Sequence, residues 1–206
     1  ANQRLKKLIL EGGVETSYRN PMFFPIRENL FSLMANHLYG YNGTSAKELT
    51  EATVQGRREL HDIINALRSH GGMWKDIMIV ATPSHIGVRE GRRIKGLYTV
   101  TKDDLINGIR FDDAVVRVKF GVDVHNLEKN DGTPNSQHVK SQPYDIPLRS
   151  LISKDVNNLL MAGRCISGDF IAHSSYRVTG NAVPLGEAAG RLAAAAVNTK
   201  QLPAQV

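Results

Sequence analysis

Apolar residues recur at helical spacing between residues 45 and 69. Leu49, Ala52, Leu60, Ile63, Ile64 and Leu67 fall close to one face, with a polar gap around Gly56, while Arg57, Arg58, Glu59 and Asp62 lie largely on other faces. Ser45-Ala-Lys-Glu48 has the form of a capping box, in which the serine and the glutamate three residues on satisfy each other's backbone N–H groups. Gly71-Gly72 stops the run. The pattern predicts one helix from about Ser45 to Ser69. Ahead of it, residues 23–39 read as extended segments around Pro25, and Asn42-Gly43 reads as a turn.

After the helix the period shortens. Residues 76–81 form a short apolar run suited to a buried strand, and residues 92–100 and 114–120 carry β-branched and aromatic side chains in rough alternation. Thr101-Lys-Asp-Asp104 reads as a short helix start. Residues 121–143, with Asn130-Asp-Gly-Thr-Pro-Asn, read as a long mobile loop or hairpin tip. Residues 144–149 return as a strand limited by Pro147. Residues 158–163 predict a buried strand ending in Gly163, followed by a Ser/Gly/Thr-rich connection over 164–180 and a final helix over 184–197 with Pro184 in its first turn. Gly186, Ala189, Gly190, Ala193 and Ala196 give that helix a face of small residues. Strands mixed with one long helix make an α+β pattern, with an α/β texture at the C-terminal end.

Composition narrows the class. The 206 residues hold 41% hydrophobic and 22% charged side chains, which excludes disorder and collagen, and Cys165 alone cannot form an internal disulfide. The longest strongly apolar stretch, residues 192–197, is far short of the roughly 20 residues a membrane span needs. The compartment is left open. The net charge of +6 is uneven: residues 1–100 carry 14 Lys/Arg against 9 Asp/Glu, the rest 12 against 11. Arg89, Arg92, Arg93 and Lys95 form the densest cluster, opposed locally by Glu90; it suits either an anionic partner or a solvated strand edge. No helix-turn-helix, zinc-finger or aromatic-basic RNA signature accompanies it, so no nucleic-acid partner is expected. The histidines are scattered and predict no metal site.

The strand–loop–helix over residues 159–197 is the most informative region. A helix N-terminus presents unpaired N–H groups and a partial positive charge that attract anions, and small residues before it would let a planar ligand or phosphate approach the backbone. Plain helix-on-sheet packing accounts for the same residues.

Gly163-Arg-Cys-Ile-Ser-Gly168, Ala172-His-Ser-Ser-Tyr-Arg177 and Gly186-Glu-Ala-Ala-Gly190 together resemble the C-terminal end of the FAD-dependent oxidoreductase family, flavoproteins of the broad glutathione-reductase-like class. Gly56-Arg-Arg-Glu, Ile86-Gly-Val-Arg-Glu-Gly-Arg-Arg-Ile94 with Gly96 and Tyr98, and Tyr144-Asp-Ile-Pro-Leu-Arg149 resemble it in the same order. The resemblance implies a two-domain flavoprotein: residues 1–150 mostly a substrate-side α+β domain, residues 151–206 the closing strand and helix of the FAD-binding domain. It implies FAD as cofactor, held by Gly163, Arg164, Ser167 and Arg177 and, at the opening of the last helix, by Val183, Leu185 and Gly186. The Gly-x-Gly-x-x-Gly phosphate fingerprint is absent from these residues, so the chain is expected to be the C-terminal portion of a longer protein, inactive alone and partnered by its missing half. Two departures stand out. Gly180-Asn-Ala-Val-Pro184 replaces the Pro-Thr-Cys-Met-like stretch of many relatives, and Gly91 interrupts their Arg-Glu-Thr-Arg-Arg form.

Three residues are the catalytic candidates. Arg89 would lie near the flavin by resemblance, with a salt-bridge cluster as the plain alternative. His85 is a possible acid or base near neutrality, and His173 sits in the flavin-side connection; either is otherwise a hydrogen-bonded structural histidine. Cys165 reads as packing. The expected function is oxidation of a small organic substrate with hydride transfer to flavin, in a protein able to form a homo-oligomer. A polysaccharide-lyase-type enzyme and a non-catalytic anion- or carbohydrate-binding protein are the alternatives.

Overall fold

The computed structural model describes residues 2–125 and 139–206. They divide into two compact units, one from residues 2–88 and one from residues 89–125 with 139–206. The chain is mixed α+β, with one small antiparallel sheet in each unit. Among the described residues no helix is long and apolar enough to cross a membrane.

In the first unit, helix α1 (Asn2–Glu11) precedes strands β1 (Met22–Arg27) and β2 (Leu30–Met34), and helix α2 (Ala46–Arg68) follows. Leu5 and Ile9, one turn apart on α1, pack with Ile63, Ile64 and Leu67 of α2. The extended segments expected around Pro25 form a hairpin whose register slips between Pro25 and Arg27. Opposed Phe23 and Leu33 face the core, while Phe24 and Ile26 are exposed, as the two-residue period of a strand requires. The α2 boundaries agree with the sequence pattern, and Ser45 caps the helix by accepting from the Glu48 N–H. The reciprocal half of the expected capping box is absent: the Glu48 carboxylate takes the Asn42 N–H at 2.7 Å, and the Ser45 N–H donates to the Asn42 carbonyl.

The buried strand expected over residues 76–81 is not one. Ile77 and Ile79 pack on the core, but Met78 and Val80 are 68% and 74% exposed, and the segment has no ladder partner among the described residues. An apolar run with one covered face looks the same in sequence as one with two.

The second unit holds α3 (Lys102–Asn107), β3 (Ala114–Val118), β4 (Tyr144–Pro147), α4 (Phe170–Tyr176) and α5 (Thr179–Thr199). Its core gathers Val100, Leu105, Val118, Tyr144, Ile146, Leu151, Ile166, Ala172, Tyr176 and Leu185. β3 and β4 pair antiparallel, Val116 opposite Ile146 and Val118 opposite Tyr144. At α3 the capping box is complete, Thr101 and Asp104 each satisfying the other's backbone N–H. The loop or hairpin tip read over residues 121–143 falls largely on residues 126–138, outside the described residues.

Four expectations are corrected here. Residues 92–100 make isolated bridges, Gly96 with Ser153 and Val100 with Gly168, rather than a strand. Residues 158–163 make one bridge, Leu160 with Ile152, and Leu159 is exposed. The 164–180 connection contains α4, whose residues from Ala172 to Tyr176 are all buried. The last helix begins at Thr179, so Pro184 lies in its second turn. A proline already has helical φ, and there it leaves one carbonyl, that of Gly180, without its helical donor; buried Leu185 and Leu192 hold the helix through it.

Candidate active site

Asp169 starts α4. One carboxylate oxygen accepts from the Ala172 N–H at 2.7 Å and the other from the Lys102 N–H at 2.6 Å, so α4 is tied at its first turn to the start of α3. This fixes His173, which is fully buried. Neither ring nitrogen of His173 has a hydrogen-bond partner among the described residues. Its ring meets Tyr176 edge-on at 5.6 Å, and the Tyr176 hydroxyl donates to the Ile166 carbonyl at 3.1 Å. Burial, reinforced by Arg93 and less by Arg177 and Arg164, outweighs Glu90 and pushes the imidazole down to about 4. His173 is therefore neutral at pH 7.

The charges around it are partly paired. Arg93 forms an ion pair with Glu90. Arg89 Nη1 lies 3.6 Å from Asp123 Oδ2, and His125 Nε2 lies 3.0 Å from the same oxygen. The Asp123 N–H donates to the Ser174 carbonyl, and Arg177 donates to the Asp123 carbonyl at 2.5 Å. Burial first, and then Arg89, lower the Arg177 pKa, though a guanidinium keeps its charge at neutral pH. Burial likewise lowers His125, ahead of the opposing hydrogen bond to Asp123.

A short 3-10 turn, Gly163–Cys165, carries the next pair of candidates. Gly163 has φ of +69°, a conformation L residues seldom adopt, and a Cβ there would sit 3.6 Å from the Ala182 Cβ in the first turn of α5. Arg164 is exposed beside it. No side chain caps α5, and the N–H groups of Thr179 and Gly180 have no hydrogen-bond partner among the described residues. These are the amides that open the helix. Val183, Leu185 and Gly186, expected at its opening, occupy the second turn. Val183 is 68% exposed, Leu185 is fully buried in the core, and Gly186 has open space above its Cα.

Ser167 is buried and fully engaged. Its N–H donates to Ser150, its carbonyl accepts from Val100, and its hydroxyl lies 2.9 Å from that of Thr99. Arg89, Arg164, Arg177 and His173 thus share the second unit, with Arg164 and Arg177 acting on His173 and Arg89 on Arg177, whereas His85 is exposed in the first. Asp123 was missed by the sequence reading, since a lone acid in an irregular segment has no local signature. Asp169 had one: an N-cap residue directly ahead of an apolar run. Among the described residues no group of three or more His, Cys, Asp or Glu side chains could hold a metal ion.

No curated protein and no solved structure matches the chain. A family model does, that of the FAD dependent oxidoreductases, and it covers residues 8–206, which include the second unit, all but the start of the first and every candidate residue named above. The chain belongs to the FAD dependent oxidoreductase family.

Proposed function

We propose that the chain takes part in flavin-dependent oxidation of a small organic molecule, with residues 151–206 on the cofactor side and the preceding residues mostly on the substrate side. The observation that carries this reading is the seating of the left-handed Gly163 turn against the first turn of α5, beside Arg164 and the Thr179 and Gly180 amides, which have no partner among the described residues. FAD, when bound, accepts the hydride. This chain's residues fit such a group in three respects. Arg164 and Arg177 supply guanidiniums for its anionic part. The opening amides and dipole of α5 stabilise negative charge delivered near them. Gly186 and Gly190, each with open space above Cα, let a flat ring lie close to the helix. Arg89 and neutral His173 are the groups on the reacting side in this reading. His85, exposed in the other unit, is the third candidate. Gly163 shapes the turn, while Ser167 and Leu185 hold the turn and α5 in place through backbone contacts and packing.

The test is an absorption spectrum of the purified full-length protein, with release of any bound cofactor. Bands near about 370 and about 450 nm with FAD released are expected. A Gly186→Asp variant should fold as the parent does, since its Cβ meets nothing within 4 Å, and should lose the flavin. A colourless protein that takes up no added FAD would overturn the cofactor reading. A Gly186→Asp protein that holds FAD normally would overturn the cofactor-side assignment of α5.

A further inference from the structure

We propose that Asn42 is a site of spontaneous covalent modification, at which the Gly43 backbone nitrogen closes on the Asn42 side-chain amide and ammonia is released. The inference is independent of the flavin reading.

A glycine after asparagine favours this ring closure, because no Cβ stands beside the attacking nitrogen and the backbone turns freely. The chain holds two such pairs, Asn42-Gly43 and Asn107-Gly108, and both asparagines are exposed. Exposure does not separate them; hydrogen bonding does. Asn107 ends α3, and the Gly108 N–H donates to the Asp104 carbonyl. A nitrogen held in that way keeps its proton and its place in the helix. The Gly43 N–H has no hydrogen-bond partner among the described residues, so its nitrogen is the available nucleophile.

The second observation concerns the carbon attacked. Asn42 Oδ1 accepts from the Thr44 N–H at 2.9 Å and from the Thr44 hydroxyl at 2.8 Å. Both donors draw electron density away from Cγ. They are also in place for the negative charge that Oδ1 gains when the nitrogen adds, as the donors of an oxyanion hole are. The turn itself is fastened at both ends. The Ser45 N–H donates to the Asn42 carbonyl at 3.0 Å, and the Asn42 N–H donates to the Glu48 carboxylate at 2.7 Å. Asn42 and Thr44 are exposed, so solvent reaches the site to take and deliver protons.

In the reaction, solvent base takes the Gly43 N–H proton and the bond from Gly43 N to Asn42 Cγ forms. The Cγ–Nδ2 bond breaks, and ammonia leaves with a proton from water. Water then opens the cyclic imide at either carbonyl, and no group is oxidised or reduced. Opening at Cγ leaves aspartate; opening at the main-chain carbonyl leaves isoaspartate. Aspartate keeps an oxygen for both Thr44 donors and suits the start of a helix. Isoaspartate routes the main chain through Cγ, which lengthens the turn and loosens the bonds to Ser45 and Glu48 that fasten the first turn of α2.

The experiment incubates the full-length protein, folded and in urea, at neutral and at mildly alkaline pH, and then digests it with trypsin. Mass spectrometry follows the peptides Glu28–Lys47 and Asp103–Arg110, and protein isoaspartyl methyltransferase labels isoaspartate. In the folded protein Asn42 should convert at least about tenfold faster than Asn107, and faster at the higher pH. In urea the two rates should draw together. Thr44→Val discards the hydroxyl donor from an exposed side chain, and should slow Asn42 by about threefold or more with unchanged circular dichroism. Equal rates at the two sites in the folded protein overturn the proposal, as does an Asn42 that converts in urea but not when folded. An unchanged rate in Thr44→Val overturns the part given to Thr44.

Discussion

The ring of Tyr176 occupies the space where a side chain on Gly168 would begin: a Cβ there would lie 2.5 Å from Cε1 and 2.6 Å from Oη. Tyr176 is fully buried and its hydroxyl is bound to Ile166, so the ring has nowhere to retreat. Gly168→Ala should therefore destabilise the second unit by about 1–3 kcal/mol, the usual result of overpacking a filled core. Urea denaturation checks this, and an unchanged midpoint would mean that the ring is free to move.

Removing the unmatched ring nitrogens should not weaken the fold. His173→Phe keeps a flat ring in the same space while discarding two buried polar atoms without partners among the described residues. Stability at pH 7 should hold or rise by about 1–3 kcal/mol. The histidine's pKa is lower folded than unfolded, so the unfolded chain takes up the proton first as pH falls. Its contribution is complete above about pH 6.5 and is lost progressively toward pH 4. Wild type should lose stability relative to His173→Phe across that window. Parallel curves for the two proteins would contradict it.

Tyr98 behaves in the opposite pH range. Its hydroxyl donates to both oxygens of Asp104, at 2.9 and 3.0 Å. Burial first, then that carboxylate, raise the phenol to about 12 against a small opposing effect of Arg149. A raised folded pKa stabilises fully below the unfolded value of 10.0 and loses that contribution as pH rises through about 12. The stability advantage of wild type over Tyr98→Phe should shrink between those values. An advantage that stays constant through pH 12 would remove the Asp104 contact from the account.

Pro184 is the one residue of α5 that cannot donate to the turn before it. Pro184→Ala supplies a donor for the Gly180 carbonyl and should raise stability by about 1–3 kcal/mol. Thermal melting tests this, and a lower midpoint would show that proline's restraint on the unfolded chain outweighs the missing hydrogen bond.

The parts legible in the sequence are those with local causes. The apolar stripe from Leu49 to Leu67, with Ser45 before it and Gly71 after it, specified α2 because each signal acts within a turn or two. Thr101 and Asp104 specified the start of α3 in the same way, by hydrogen bonds three residues apart. The blocks from Gly56 to Gly190 pointed to the family, which spans residues 8–206.

What the tertiary structure alone decided depends on which face of a segment is covered and by what. Residues 76–81 are apolar enough for a strand, but whether Met78 and Val80 are buried depends on neighbours far along the chain. α5 runs through Pro184 because Leu185 anchors it in a core whose members Val100, Leu105, Val118, Tyr144 and Ile146 are distant in sequence. The convergence on Asp123 of Arg89, His125 and Arg177, the last of them 54 residues away, has no local signature. Neither has the isolation of the His173 nitrogens, since a buried polar atom goes unpaired only through everything packed around it. Short-range hydrogen bonds and periodicity are written into neighbouring residues; burial and charge crowding exist only once distant segments meet.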